Sequence, residues 1–268
     1  MNASRVQDQV IVVTGASKGI GLATARALAA RGARVALLAR GEAALQEALA
    51  GFDPDRALAL AVDVSDRAAL AGAFAAVVAR WGRLDGLVNN VGFQFARRIE
   101  QMPEDEVRKL VDLNFLSAVF ACQLAIAPLR AAGGGRIVNL SSASVRHDNE
   151  FAHMALYSAA KAALDQFTRE LRGEVKRDGI MVTLFSPGAV ATGSVANFDP
   201  AALPEAMAAW LEKGPQFDGA VQPDVVGEAI ANCFELPPGV AIEFIELRPN
   251  VPTPKLLESD WKPEQVAG

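Results

Sequence analysis

The stretch Val10-Ile-Val-Val-Thr-Gly-Ala-Ser-Lys-Gly-Ile-Gly21 runs five consecutive β-branched residues into a glycine-rich turn that opens a helical pattern. An apolar run without alternation marks a strand covered on both faces, as the strands of parallel sheets are. Gly15, Gly19 and Gly21 follow it, with Ser17, Lys18 and Ile20 among them. Lacking side chains, the glycines let the backbone turn tightly and approach a pyrophosphate at the helix N-terminus, where unpaired amides point outward. The spacing is Gly-x-x-x-Gly-x-Gly, not the more familiar Gly-x-Gly-x-x-Gly. On its own it also fits a plain strand-to-helix turn.

Outward from this stretch, short β-like runs alternate with helical ones. Strands are expected over residues 10–14, 34–39, 57–62, 84–89, 136–140, 181–186 and 241–247. Helices are expected over 20–31, 42–50, 66–81, 103–132, 204–213 and 224–235, and one more carries Tyr157 and ends near Asp178-Gly179. Pro103 suits a first helical position, and Gly133-Gly-Gly135 ends that helix. Apolar strands separated by helices imply a parallel sheet covered on both faces, the doubly wound α/β architecture, because each right-handed crossover lays a helix on the sheet. Residues 1–268 read as a single domain. Within it, 192–222, punctuated by Pro200, Pro204 and Pro215, reads as a substrate loop or lid, and 249–268 as a tail.

Composition narrows the function. Hydrophobic residues make up 51% and charged residues 21%, ordinary globular values. The net charge of −5, with no basic block or stripe, argues against a nucleic-acid partner. No uninterrupted apolar run approaches about 18 residues, and the first residues are polar, so no membrane partner and a cytoplasmic location are expected. Cys122 and Cys233 lie far apart in apolar, helix-like settings and read as buried thiols. His147 and His153 have no acidic or thiol cluster at ligand spacing, so no metal is expected.

Tyr157-Ser-Ala-Ala-Lys161 carries the chemistry. Four residues apart on a helix, the two side chains share a face. A free phenol, with a pKa of about 10, is a poor acid or base at neutral pH. An ammonium ~4 Å away at an effective dielectric of ~20 supplies roughly 4 kcal/mol, enough to bring the phenol toward ~7 before any desolvation cost. The same spacing also fits a packed ring beside a solvated amine.

Asp63-Val64 closes the third strand, where a carboxylate and an amide could reach an adenine, and Asn89-Asn90-Val91-Gly92 closes the fourth. With the glycine turn, Asn114, Ser141-Ser142, Tyr157 to Lys161, and Pro187-Gly188 followed by Val190 and Thr192, the chain resembles a classical short-chain dehydrogenase/reductase over roughly residues 8 to 250. The resemblance implies a Rossmann-type sheet of about seven parallel strands in the order 3-2-1-4-5-6-7. It also implies hydride transfer between a nicotinamide and a small-molecule carbonyl or alcohol. Tyr157 would be general acid in reduction and general base in oxidation, and Lys161 would also hold the nicotinamide ribose. Asn114 would kink its helix, and Thr192 would reach the carboxamide. Gly15 to Gly21, Asp63, Val64, Asn90, Gly92, Pro187, Gly188 and Val190 would frame the cofactor, and a homo-oligomer, dimer or tetramer, is expected.

Charge separates the two nicotinamides. The second strand ends Leu37-Leu38-Ala39-Arg40, without the acidic residue that accepts from a ribose 2′-hydroxyl, while Arg40 and Lys18 could meet a 2′-phosphate. NADP(H) is favoured over NAD(H). The catalytic serine is less determined. Counting forward from residues 136–140 gives Ser142, which is preferred; counting back from Tyr157 gives Ser144. Phe93, Phe95, Arg146, His147, Asn149, His153, Phe198 and Trp210 fall in loops expected around the pocket, and they specify no substrate. The ending Ile242-Glu-Phe-Ile-Glu-Leu-Arg-Pro249 resembles a subset of the family that handles small hydroxy acids and amino alcohols. A nucleotide-binding regulator without turnover, a lyase or epimerase of the same fold, and an NAD-preferring dehydrogenase stand as alternatives.

Overall fold

The computed structural model describes residues 4–147, 152–193, 198–213 and 219–250. Seven strands form one parallel sheet: β1 (Val10–Thr14), β2 (Arg34–Ala39), β3 (Ala57–Ala61), β4 (Gly86–Asn89), β5 (Gly135–Leu140), β6 (Ile180–Pro187) and β7 (Phe244–Leu247). Their order is β3-β2-β1-β4-β5-β6-β7, as the Rossmann-type reading expects. The chain leaves β3 and returns on the far side of β1, so a crevice opens between the carboxyl ends of β1 and β4. Helices α1 (Gly19–Ala30), α2 (Glu42–Leu49) and α8 (Pro223–Phe234) cover one face; α3 (Arg67–Trp81), α5 (Ser117–Ala131) and α6 (Ala155–Val175) cover the other. Alternation along β1 divides the core, with Ile11 and Val13 facing the first set and Val10 and Val12 the second.

Local chemistry sets the helix ends. Asp66 caps α3, its carboxylate accepting from the amides of Ala68 and Ala69, and Gly82 closes it in a left-handed conformation. Pro103 is the N-cap of α4 (Glu104–Val111), one position earlier than expected. The expected continuous helix over 103–132 is interrupted by a π-turn at Asp112–Leu116. Asn114 Nδ2 donates to the Leu110 carbonyl at 2.9 Å and Ser117 Oγ to the Leu113 carbonyl at 2.9 Å, side-chain bonds that compete with the helical ladder. By length and composition alone, Glu104–Ala131 would suit a membrane span. Here Ala121, Cys122, Ala125 and Leu129 are buried against the sheet.

Three strands are shorter than the sequence pattern suggested, β3 by its last residue only. β4 starts at Gly86, and Asp85 just before it holds Val10 twice, its amide donating to the Val10 carbonyl at 2.8 Å and its side chain accepting from the Val10 amide at 2.9 Å. β7 starts at Phe244. The preceding turn is held instead by Arg136, which donates to the carbonyls of Leu236, Pro237 and Val240 at 2.6 to 2.9 Å. A buried polar chain then sets α6 against the sheet: Asn89 Nδ2 donates to Asn139 Oδ1 at 2.8 Å, and Asn139 Nδ2 to Thr168 Oγ1 at 2.9 Å. Because Thr168 and Lys161 stand two turns apart on one helix, this chain also orients the reactive end of α6. Cys122 and Cys233 are buried and free, and burial pushes their thiols up to about 12 and about 11.

Candidate active site

A cavity of about 400 Å³ opens at the carboxyl edge of the sheet. The glycine turn forms its floor: Gly15, Ser17, Lys18, Gly19 and Ile20 line it, and Arg40 closes the outer end. Val64, Asn90 and Gly92 form the middle wall, while Tyr157, Lys161, Pro187 and Thr192 close the inner end. Asn90 braces the turn, its amide donating to the Thr14 carbonyl at 3.0 Å and the Gly15 carbonyl at 3.2 Å. Gly15 sits at φ +65°, which a side chain would strain. A Cβ on Gly21 would strike the Gly15 carbonyl and lie 2.6 Å from Asn90 Nδ2, so Gly21 supports the turn from behind.

At the inner end, strand β5 and helix α6 meet. Tyr157 stands in the first turn of α6, and Ser142, two residues past β5, is placed to draw its phenol's pKa down. Ser142 Oγ in turn accepts from the Ser144 amide at 3.2 Å and the Ser144 hydroxyl at 3.0 Å. Both serines predicted from the sequence are therefore here, and Ser142 is the one that acts on the phenol's pKa. Lys161 is fully buried, and its ammonium donates to the Leu140 carbonyl at 2.9 Å. Asn114 Oδ1 accepts from the Phe93 amide at 3.0 Å while Nδ2 donates to the Phe93 carbonyl at 2.6 Å, fastening the chain beyond Gly92. A Cβ on Gly92 would lie 3.4 Å from Lys161 Nζ and 3.5 Å from Asn114 Oδ1, so the three residues converge behind the cleft wall.

This constellation sits where the sequence matches a known family. Residues 9–202 match the family model described as short chain dehydrogenase. The chain belongs to that family. An uncharacterized oxidoreductase of Methylorubrum extorquens is 39% identical over 193 residues, covering 70% of this chain and 76% of its own length. A D-beta-hydroxybutyrate dehydrogenase of Rhizobium meliloti is 34% identical over 185 residues, 68% of this chain and 71% of that one. Among solved structures, a metagenomic short-chain oxidoreductase in complex with NADP superposes with a TM-score of 0.73 at 30% identity, covering 92% of this chain and all of that one.

In this short-chain dehydrogenase, the electrostatics of the Tyr-Lys pair differ from the expectation. Burial pushes the Tyr157 phenol above its ordinary value, and the Ser142 hydrogen bond draws it part of the way back. Burial also draws the Lys161 amine down to about 8, against the opposing charge of Asp165. The group expected to acidify the phenol is thus itself close to losing its proton, and it spends a hydrogen bond on a strand carbonyl.

Several other expected residues stand beside the cleft, not in its wall. Asp63 folds back on its own turn, Oδ1 accepting from the Ser65 amide at 2.9 Å and hydroxyl at 2.7 Å. Burial raises its pKa, but those bonds and the charges of Arg40 and Lys109 leave it below the ordinary carboxylate value. Val62 and Val64 supply the wall there. Gly188 packs against Arg248, and Val190 bridges to Val221, so both shape the loop that presents Thr192. His147 contacts Glu246 at 2.8 Å, and the His153 carbonyl accepts from the Arg97 amide at 2.9 Å. Phe198 and Trp210 pack with Ala96, Met154 and Ala206 in a small apolar cluster that also touches Tyr157. Asn149 lies outside the described residues. Phe93, expected near the pocket, and Ser141, of the Ser141-Ser142 pair, line the cleft as well, and so does Gln94 beside Phe93.

The residues present fit a nicotinamide dinucleotide. Helix α1 begins at the cleft with no side-chain cap and no acidic residue in its first turn, leaving its amides for an anion. Lys18, Arg40 and Lys161 line the cavity, and no carboxylate does so among the described residues, although the chain as a whole carries −5. No group of three or more potential metal ligands occurs among the described residues.

Proposed function

We propose that the protein is an NADP(H)-dependent oxidoreductase that interconverts a carbonyl and a secondary alcohol of a small molecule, with Tyr157 as the acid/base group. The observation that carries this reading is that Tyr157 and Lys161 stand together in the wall of a cleft lined by cations, with Ser142 acting on the phenol. The nicotinamide, when bound, supplies the hydride in reduction and accepts it in oxidation. Tyr157 gives its proton to the substrate oxygen in reduction and takes it back in oxidation. Its raised pKa suits the donor role at neutral pH. Ser142 steadies that oxygen and the phenol, and Lys161 holds positive charge beside them. Asn114 keeps the Phe93 backbone, and so the cleft wall, in place.

Preference for NADP(H) is supported by Arg40 and Lys18 at the cleft mouth and by the absence of a lining carboxylate to receive a ribose diol. The NADP bound to the metagenomic relative points the same way. Thr192 and Pro187 are proposed to face the nicotinamide end. The region 192–222 is proposed as a substrate lid. Its support is α7 (Leu203–Lys213), whose Trp210 Nε1 donates to the Ala152 carbonyl at 2.7 Å, and Asp199 ahead of that helix, which accepts from Arg97 at 2.7 Å. Assembly with further copies of the chain is supported by apolar surface on β7, where Phe244 is 43% exposed beside Val240 and Ile242, and on the half-buried helix Glu104–Ala131.

The test is turnover. Purified protein with NADPH or NADP+ is offered ketones, aldehydes and alcohols, small hydroxy acids first because of the hydroxybutyrate dehydrogenase relative, while nicotinamide absorbance is followed. Reduction or oxidation of any class supports the reading. Tight NADPH binding with no turnover across the panel favours a regulator instead.

A further inference from the structure

Asp165 is 1% exposed and stands one turn of α6 beyond Lys161, yet the chemistry above gives it no part. A carboxylate taken out of water is costly unless neighbours hold it. The Ser141 hydroxyl donates to Oδ1, and the Arg146 guanidinium donates to Oδ2 at 2.5 Å. Arg146 is positioned in turn by the Phe244 ring, whose centroid lies 4.1 Å from the guanidinium carbon. Lys161 shares the helix face of Asp165, four residues before it, and the carboxylate's charge opposes the loss of the amine's proton. The carboxylate therefore joins α6 to the residue before Ser142 and to the end of the short turn that carries Ser144.

We propose that Asp165 is a positioning residue for proton transfer, keeping Lys161 cationic from within the helix while anchoring the strand end that presents Ser142. The proposal rests on the reading of Tyr157 and Lys161 given above. On α6 the titratable groups on the Lys161 face are Tyr157 and Asp165; β5 presents the Leu140 carbonyl, and the π-turn presents the neutral Asn114 amide. Arg146 acts on the amine through Asp165, by neutralising part of the carboxylate's field. Because burial already draws the amine down to about 8, losing the Asp165 charge should discharge it at still lower pH. Losing the Arg146 charge should do the opposite. A residue that merely props the loop would give both substitutions the same sign.

The experiment titrates Lys161 directly. Full-length protein carrying 13C-labelled lysine is followed by NMR, with the Lys161 signal identified by its loss in Lys161→Met. Asp165→Asn is expected to lower the Lys161 midpoint by roughly one pH unit, and Arg146→Gln to raise it. An unmoved midpoint in folded Asp165→Asn overturns the proposal. Should Asp165→Asn not fold, Arg146→Gln decides: a rise supports the proposal, and no change or a fall overturns it. Since the titration needs no turnover, a protein that titrates as described but reduces no carbonyl would sink only the catalytic reading.

Discussion

Ser142, just past β5, acts on the Tyr157 phenol in the first turn of α6 and draws its pKa down against the effect of burial. Ser144 donates both its amide and its hydroxyl to Ser142 Oγ, which leaves the single Ser142 proton for the phenol. The two serines are thus ranked by what they touch. Ser142→Ala is expected to lower kcat by ~10²–10³-fold, and Ser144→Ala by about tenfold or less, because it loses only the orientation of Ser142. Steady-state kinetics on the two variants checks the order, and equal losses would contradict it.

Lys161 should weaken the fold that it serves. Its pKa of about 8 lies below the unfolded value of about 10.4, so the unfolded chain binds more protons between the two. Stability therefore rises as pH climbs through that window, and the cost of the buried charge is in full force below about 8. Lys161→Met would relieve roughly 3 kcal/mol, less the hydrogen bond to Leu140. Calorimetry at about pH 7 should find a higher Tm in a variant that has lost turnover, with the advantage shrinking toward pH 10. A lower Tm at neutral pH would count against the buried charge.

The same pKa sets a limit on activity. If turnover needs Lys161 charged, kcat should fall as pH rises through about 8, where the amine gives up its proton. A profile flat to pH ~10 would remove Lys161 from the proton-transfer site.

Arg40 and Lys18 should separate the two nicotinamides. A charge-assisted hydrogen bond to phosphate is worth ~1.5–3 kcal/mol, so Arg40→Ala and Lys18→Ala should each raise KM for NADPH by about 10- to 100-fold with little effect on NADH. Matching effects on both cofactors would withdraw the assignment.

Arg97 ties the proposed lid to the rim of the site. It donates to Glu106 on α4 at 3.1 Å and to Asp199 ahead of α7 at 2.7 Å, and its side chain is 20% exposed. Arg97→Ala leaves two carboxylates without their cation. It should lower kcat/KM for the carbonyl substrate by about tenfold while the NADPH dissociation constant, read by fluorescence, stays unchanged. A loss of NADPH binding instead would place Arg97 in the nucleotide site.

Much of this site is legible in one dimension because its residues lie where the pattern changes type. Gly15 to Gly21 follow the strand that they terminate, and Asn90 and Gly92 close β4, so the sheet order brings them to one edge. Asn114 marks the π-turn because its amide competes with the helix that contains it. What escaped the sequence depends on side-chain reach. Asp63 turns onto Ser65, a choice between two equally local partners. The helix carrying Trp210 is legible, but its packing with Phe198 against Met154 is not. Asp165 looks like an ordinary helical acid, and only the return of β5 past α6 puts Ser141 and Arg146 onto it. The sign of the Tyr157 shift was missed because charge spacing can be read from sequence but burial cannot.

The most direct test compares wild type with Tyr157→Phe, a change that removes one hydroxyl and leaves the ring in place. NADPH-linked carbonyl reduction and NADPH binding are measured on the same preparations. Turnover is expected in the wild type, with a loss of ~10²–10⁴-fold in the variant and equal NADPH affinity in both. Turnover in Tyr157→Phe within about twofold of wild type would contradict this expectation, since so small a change is far below what an acid/base group contributes.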